Sequence, residues 1–387
     1  MRRNRKCPIC GKNDKHIIKK YSLVNYDSVK GIFDEQCIAE CEDCGAIYNE
    51  GVEFDKLSEY YADYTCDSAI RKMTADESVL NNRMADFVEH HLDTPKNAYI
   101  LDVGCSYGWL IDLLISRGYS NVEGMDTDIS LIEKMREAGY HVCSGSAFGN
   151  HPHNGEMNYD LIILKMVLEH LEEPYSVIKN VGEWLNPGGI LLIEVPDASL
   201  YEKTAFFPGY FQTVGLEHIN YFSHITLTNM MIGWKAIAME STDNNGIYPV
   251  LRMAFVKEKD TIREHFFANY DREPVINSYE KPSEIGEQIL SKIDALMDEQ
   301  CLVWGTSAFT RGLLANTRLK ELNIKCFVDR NPELQKLTLI GKHIISPEEV
   351  GAYSDCIIVI PGKTSKESII RDIQKMGYNN RIVCLSE

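Results

Sequence analysis

Four cysteines arranged as two pairs carry the clearest chemistry in this chain. Cys7-Pro-Ile-Cys10-Gly11 and Cys41-Glu-Asp-Cys44-Gly45 are two C-x-x-C-G knuckles separated by thirty residues. Each knuckle turns the chain so that two thiolates point at one centre, and the glycine after it relieves the turn. Four thiolates make the closed tetrahedral site of a structural Zn²⁺, so Cys7, Cys10, Cys41 and Cys44 are expected to hold zinc. Such a site has no open position, and its role is folding rather than catalysis. A second candidate is Tyr99-Ile-Leu-Asp-Val-Gly-Cys-Ser-Tyr-Gly108. It reads as a short buried strand, a tight turn at Gly104, and a helix that begins after Gly108. That order places a ligand at the carboxyl end of the first strand of a doubly wound α/β fold. A second short strand, Asn121 to Asp126, ends in an acid 24 residues after Asp102. An acid there can hydrogen-bond the ribose hydroxyls of a nucleoside or cap the following helix, and the two roles are compatible.

The rest of the chain must position these groups. Its 387 residues call for two or three domains, and 44% hydrophobic content is ample for buried cores. A formal net charge of −17 argues against a nucleic-acid partner, because phosphate binding needs a basic surface. The basic run Arg2 to Lys6 reads as a solvated tail. No apolar h-region follows it, and no apolar stretch is long enough to span a bilayer. The twelve cysteines are therefore expected to be reduced and the protein cytoplasmic, with no membrane partner.

The spacing predicts a sheet-covering helix from Asp76 to Leu92, another from Ile129 to Ala138, and a third strand at Tyr140 to Cys143. Asp160 to Leu164 reads as a fully buried fourth strand. Ile190 to Val195 reads as a fifth, entered through the turn Asn186-Pro-Gly-Gly189. Val250 to Val256 reads as the last strand of this sheet, and Glu284 to Glu299 as an amphipathic helix. Beyond it, Cys301 to Gly305, Ile324 to Asp329, Cys356 to Ile360 and Arg381 to Cys384 read as strands. The pattern of strand, glycine loop, helix and strand ending in an acid thus occurs twice, the second time with Gly305 and Asp329. The second set can bind a nucleotide, or it can be a degenerate fold that buttresses the active site and helps to hold the substrate.

The glycine loop resembles motif I of the class I S-adenosylmethionine-dependent methyltransferases, [DE]-x-G-x-G-x-G. Asp102, Gly104 and Gly108 match it, and Ser106 replaces the middle glycine. Lys165-Met-Val-Leu-Glu-His170-Leu resembles their segment after the fourth strand, and Trp184-Leu-Asn-Pro-Gly-Gly189 their turn into the fifth. The resemblance implies S-adenosylmethionine as cofactor, bound by Asp102, Gly104, Ser106, Gly108, Asp126, Ser146, Ala147, Phe148 and Lys165. Ser146 stands where an acid often meets the adenine amino group. Phe148 either stacks on the adenine or is core.

Phe211-Gln-Thr-Val-Gly-Leu-Glu-His-Ile-Asn-Tyr-Phe-Ser223 narrows the resemblance to the zinc-containing nucleotide-sugar C-methyltransferases, whose segment reads F-D-T-I-Y-H-E-H-x-x-Y-F-S. That family has an amino-terminal Cys₄ module and a carboxyl-terminal Rossmann-like domain. The implied architecture is α/β: a zinc-binding module at 1–66, a class I methyltransferase (Rossmann-like) domain at 67–283, and a Rossmann-like α/β domain at 284–387. The family methylates a carbon beside the ketone of a nucleotide-linked keto-deoxysugar. The resemblance makes His218 the general base, Glu217 the residue that orients it or binds the sugar, and His170 the contact to the keto oxygen. Gly215 and Leu216 depart from the pattern, standing where the family has tyrosine and histidine. Tyr61 or Tyr64 could fill the missing phenol's space. The alternative is O-methylation of a sugar or other small metabolite, for which a histidine base also serves.

Overall fold

The computed structural model describes residues 5–22, 24–27, 35–52, 72–201, 218–258, 266–267, 272–280, 284–362 and 366–386. The chain forms two compact units. One comprises Met1–Ile17, Ala39–Thr204 and Glu217–Pro274, and the other Ile18–Ile38, Ala205–Leu216 and Val275–Glu387. No helix among the described residues is long and apolar enough to cross a membrane.

The amino-terminal strands are β1 (Lys15–Ser22), β2 (Glu35–Cys41) and β3 (Ile47–Asn49). Helix α1 (Ala75–His91) follows, started by a capping box in which the Thr74 hydroxyl accepts from the Glu77 amide and the Glu77 carboxylate accepts from the Thr74 amide. The first large sheet is then laid down by β4 (Tyr99–Val103), α2 (Trp109–Ser116), β5 (Asn121–Asp126), α3 (Ile129–Glu137), β6 (Val142–Ser144), β7 (Tyr159–Lys165), α4 (Pro174–Gly182) and β8 (Leu185–Pro196). It is completed by β10 (Trp234–Thr242) and β11 (Val250–Lys257). Between these lie β9 (Asn220–Tyr221) and α5 (His224–Met230).

The sheet order is β10-β11-β8-β7-β4-β5-β6. Strands β4 to β8 are parallel, and β11 and β10 add an antiparallel edge. After β6 the chain crosses to the other side of β4, so the order reverses between β4 and β7. Ligands bind beside such a reversal, at the carboxyl ends of the strands. The central strands are apolar on both faces because both are covered. Leu101, Val103, Ile162, Leu164, Leu191 and Ile193 point into one core, which also contains Cys7, Cys41, Cys44 and Tyr48. Ile100, Leu161, Ile163 and Leu192 point into the other, against Phe87 and Val88 of α1, Leu110 and Ile111 of α2, and Ile132 of α3. The strand period of two thus divides one apolar run between two cores.

Three readings of this region are corrected. The third strand starts at Val142 rather than Tyr140. Tyr140 instead donates its hydroxyl to Asp112 at 2.8 Å. The fifth strand starts at Leu185, and its proline–glycine turn is an irregularity between the pairs Tyr159↔Leu185 and Leu161↔Ile190. The third correction concerns Arg5, expected in a solvated tail. It is buried, with its guanidinium donating to four backbone carbonyls and to Asn220 Oδ1.

The second unit has its own sheet. Its elements are α7 (Glu284–Asp294), β12 (Gln300–Trp304), α8 (Ala308–Asn316), β13 (Asn323–Val328), β14 (Thr338–Leu339), β15 (Lys342–Ile345), β16 (Ile357–Ile360), α9 (Lys366–Met376) and β17 (Ile382–Cys384). Helix α6 (Arg272–Glu280) precedes them. The order is β14-β15-β13-β12-β16-β17, parallel except for the β14–β15 hairpin. The order reverses again, here between β12 and β16.

Candidate functional site

The residues expected to hold the cofactor converge on the carboxyl ends of four neighbouring strands. Asp102 is the penultimate residue of β4 and the glycine loop follows it, Asp126 ends β5, Ser146 to Phe148 follow β6, and Lys165 ends β7. Gly104 turns the chain with φ of 81°, and a Cβ on it would lie 2.7 Å from Val167 Cγ2. Glycine is thus needed both for its dihedral and for the approach of the loop to the segment after β7. Ser106 also lies in the left-handed region, at φ of 46°, at the position where a glycine is usual. The Asp126 carboxylate accepts from the Ser106 amide at 2.9 Å and from the Asp128 amide at 3.0 Å. It pins the loop and keeps lone pairs for a further donor. The neighbouring Asp128 caps α3, accepting from the Leu131 amide at 2.9 Å, so the cap does not need Asp126.

After β6, the Ser146 hydroxyl accepts from the Phe148 amide. Ala147 is buried, and its carbonyl accepts from Asn180 Nδ2 at 2.8 Å. Phe148 is 50% exposed, which excludes a place in the core and leaves its ring open to a ligand. A substitution of Asp126 by alanine is expected to weaken S-adenosylmethionine binding about ten- to a hundredfold, the weight of a hydrogen bond to a charged acceptor. Titration calorimetry would measure it, and unaltered affinity would remove Asp126 from the cofactor site.

Behind this crevice lie charged groups that the sheet has desolvated. Burial pushes the Asp102 carboxyl up to about 7, with Lys165 opposing the shift, and Asp102 Oδ1 is buried without a hydrogen-bond partner. A buried, unpartnered carboxylate oxygen at the end of β4 suits an ammonium, which S-adenosylmethionine carries. Lys165 Nζ lies 3.8 Å from Glu194 Oε1. The other oxygen of Glu194 is paired with the fully buried Arg252 at 2.5 Å.

His170 and His218 lie side by side. His170 ends a 3₁₀ turn, Leu168–His170, that follows Met166, a non-glycine residue at φ of 54°. His218 precedes β9. Their ring centroids are 4.9 Å apart and the planes nearly perpendicular. Burial, reinforced by His170, holds His218 well below the usual histidine range, and its Nδ1 is buried without a partner. The imidazole is therefore neutral at pH 7. Glu217 lies outside the described residues, as do Tyr61, Tyr64, Phe211, Gly215 and Leu216.

One site residue escaped sequence reasoning. Glu169 is 1% exposed, neither carboxylate oxygen has a hydrogen-bond partner although Oε1 lies 3.8 Å from His170 Nε2, and burial pushes the group up to about 8. One of its oxygens and a ring nitrogen from each of His170 and His218 all lie within 4.8 Å of one another. Its backbone holds the His218 segment, because its carbonyl accepts from the Ile219 amide at 2.8 Å. The signal in the sequence is the string Leu168-Glu-His-Leu171, where an acid and a histidine stand side by side between two leucines.

The four cysteine sulfurs also lie within 4.8 Å of one another, with Cys7–Cys44 at 3.7 Å and Cys10–Cys41 at 3.5 Å. Four ligands at zinc–sulfur distances of ~2.3 Å around a tetrahedral centre would be separated by roughly 3.8 Å. The donor set and its spacing therefore fit the metal. The two knuckles are folded alike: Gly11 and Gly45, at φ of 73° and 70°, each donate their amide 2.9 Å to the carbonyl of the knuckle's first cysteine.

In the second unit, Gly305 and Asp329 repeat the arrangement of the first loop. The Gly305 amide donates to the Val328 carbonyl at 2.8 Å, as Gly104 does to Met125 at 2.7 Å. Asp329 accepts from the Thr306 amide at 3.2 Å and the Asn331 amide at 3.0 Å. Gly305, Thr306 and Asp329 line a cavity of about 330 Å³ with Tyr26, Arg311 and Arg330. Arg311 lies over the Tyr26 ring, 5.1 Å from its centroid.

Residues 77–233 match a family model described as "Methyltransferase domain", and residues 297–384 match one described as "C2185-like, N-terminal". The chain thus contains a class I S-adenosylmethionine-dependent methyltransferase domain on a Rossmann-like α/β fold. A ubiquinone biosynthesis O-methyltransferase of Hydrogenovibrio crunogenus is 32% identical over 102 residues, 24% of this chain and 41% of that protein. One from Coxiella burnetii is 26% identical over 159 residues, 36% of this chain and 58% of that protein. The chain therefore spans about half the length of these curated relatives, 41% and 58%. Among solved structures, a magnesium protoporphyrin IX methyltransferase from Synechocystis is 14% identical with a TM-score of 0.40. The match covers 53% of this chain and all of that one.

Proposed function

We propose that the protein C-methylates a nucleotide-linked keto-deoxysugar through an enolate, with His218 as general base. The observation that supports this most is the neutral His218 imidazole, set against His170 and beside the buried Glu169. A C–H beside a ketone is only weakly acidic, so a positioned, uncharged base must remove its proton. The proton goes to His218 and the bonding pair moves toward the carbonyl oxygen. His170 is the candidate donor to that developing oxyanion. Glu169, once ionised, sets a negative charge against the His218 imidazolium, and Glu217 orients the base or binds the sugar. S-adenosylmethionine, when bound, supplies the electrophilic methyl. Asp126 would hold its ribose, Asp102 its ammonium, and Phe148 its adenine. The glycine loop with Gly104, Ser106 and Gly108 would carry it from below. Positioning of this kind lowers a barrier by up to ~7–11 kcal/mol.

A second reading is O-methylation of a small metabolite, favoured by the names of the curated relatives and by Gly215 and Leu216, which replace the family's tyrosine and histidine. One experiment separates them: incubation with S-adenosylmethionine and a panel of nucleotide-linked 4-keto-deoxysugars in deuterated water, followed by mass spectrometry. Gain of one methyl with deuterium entering beside the ketone supports carbon methylation. A methyl gain with no exchange beside the ketone points to oxygen, and an unchanged panel sinks the sugar reading.

The four-cysteine site is proposed to hold one structural Zn²⁺. Metal analysis of the purified protein should find one equivalent, lost in Cys44→Ser. A metal-free wild-type protein with an unaltered melting curve would refute it.

A further inference from the structure

Arg5 is 6% exposed, and its guanidinium contacts three separate segments. Nη1 donates to the carbonyls of Asn49 at 3.2 Å and Ile219 at 3.0 Å. Nη2 donates to the carbonyls of Leu171 at 3.3 Å and Glu172 at 2.9 Å, and to Asn220 Oδ1 at 2.7 Å. These acceptors lie at the end of β3, in the segment that follows His170, and in the segment that follows His218. We infer that Arg5 is a positioning residue that ties the four-cysteine cluster to the backbone carrying His170 and His218, so that the cluster sets the mutual geometry of the two histidines.

Both chain segments that reach the histidines leave from the cluster. Arg5 stands two residues before Cys7. Strand β3 begins three residues after Cys44 and pairs antiparallel with β9, Ile47↔Tyr221 and Tyr48↔Asn220. The Asn49 amide donates to the Ile219 carbonyl at 2.9 Å, so that carbonyl is held from both segments. Asn220 closes the arrangement, donating its amide to the Leu168 and Leu171 carbonyls at 2.7 and 2.8 Å. The result is a clamp in which the cysteine cluster fixes the distance between Arg5 and β3, and these two fix residues 168–172 against 218–221. A guanidinium is suited to this because it fans several donors in one plane, whereas a lysine ammonium is a point charge that cannot reach five acceptors. The proposal gives the cysteine site a catalytic consequence although it has no open ligand position. It rests on the methyl-transfer reading only for the meaning of the histidines.

The test compares wild type with Arg5→Lys, which keeps the charge and loses the fan, and with Asn220→Leu, which removes the side-chain acceptor and leaves Arg5 in place. Hydrogen exchange by mass spectrometry reads the peptides spanning 168–172 and 218–221. Calorimetry reads S-adenosylmethionine affinity, and turnover is followed with whichever acceptor gains a methyl. Exchange in those two peptides should rise about tenfold or more, the weight of one charge-assisted hydrogen bond. Cofactor affinity should stay within about twofold, and kcat should fall about a hundredfold, as a misplacement of order 1 Å can cause. Unchanged exchange in both variants overturns the proposal. So does exchange that rises across the whole sheet with loss of cofactor affinity, which would make Arg5 a general support of the fold. If no acceptor is found, the methyl-transfer reading fails on its own, and the exchange and affinity measurements still decide the clamp.

Discussion

His218→Asn leaves S-adenosylmethionine affinity within a factor of about two and lowers turnover by about three orders of magnitude, within the range that general bases contribute. The reason is the division of labour in the first unit. The cofactor candidates lie at the carboxyl ends of β4, β5, β6 and β7, whereas His218 precedes β9, where the Ile219 amide is held by the Glu169 carbonyl. A base acts in the chemical step, so its loss should fall on kcat and not on cofactor binding. Asparagine can keep a hydrogen bond but cannot take the proton. Deuterium incorporation beside the ketone should disappear together with methylation. Exchange that persists in the variant would assign proton removal to another group. The pH profile carries a second signature. Burial holds His218 well below the usual value of 6.5, so the unprotonated form survives into mildly acidic solution. The acid limb of kcat should therefore lie below pH 6.5, and a limb above it would show a base that the fold does not desolvate.

Much of this site is legible in the sequence because its demands are local. Gly104 is forced by a dihedral and by the closeness of Val167, and such a constraint leaves a glycine wherever the fold recurs. Asp126 ends a strand that the pattern of apolar residues already reveals. The cysteine knuckles announce themselves by spacing alone. Ser106 shows the limit of the motif, since it adopts the left-handed conformation without being glycine. Arg5 was not legible. Its partners are a carbonyl 44 residues away and others more than 160 residues away, and a carbonyl has no signature in sequence. A basic run near the start of a chain reads as solvated until the fold supplies acceptors for one of its members. The β14–β15 hairpin was missed for a different reason. Its strands are two and four residues long, too short for a period of two to emerge.

Glu169 is where the two kinds of information meet, and its replacement by glutamine should make the protein more stable and less active. Burial raises its carboxyl to about 8, against an ordinary value of 4.5. Below pH 4.5 both folded and unfolded chains hold the proton, and the group costs nothing. Between 4.5 and 8 the unfolded chain releases the proton while the folded chain must keep it, so stability is lost as pH rises. Above 8 both states are ionised and the loss is constant. At ~1.4 kcal/mol per pH unit the accumulated loss is of order 3–5 kcal/mol at most. Glutamine has nearly the same shape and does not titrate. The stability advantage of Glu169→Gln over wild type should therefore grow from pH 5 to pH 8 and then level off, as denaturant unfolding at several pH values would show. Parallel stability curves for the two proteins would mean that the folded chain ionises this carboxyl at its ordinary pH. The amide cannot carry the negative charge that an ionised Glu169 sets against the His218 imidazolium, so turnover should fall in the same variant where the carboxyl is ionised. A fold that keeps an acid with neither oxygen hydrogen-bonded beside two histidines gives up stability there. If glutamine stabilised the chain and left turnover intact, Glu169 would be a relic of packing, and His218 would act without a counter-charge.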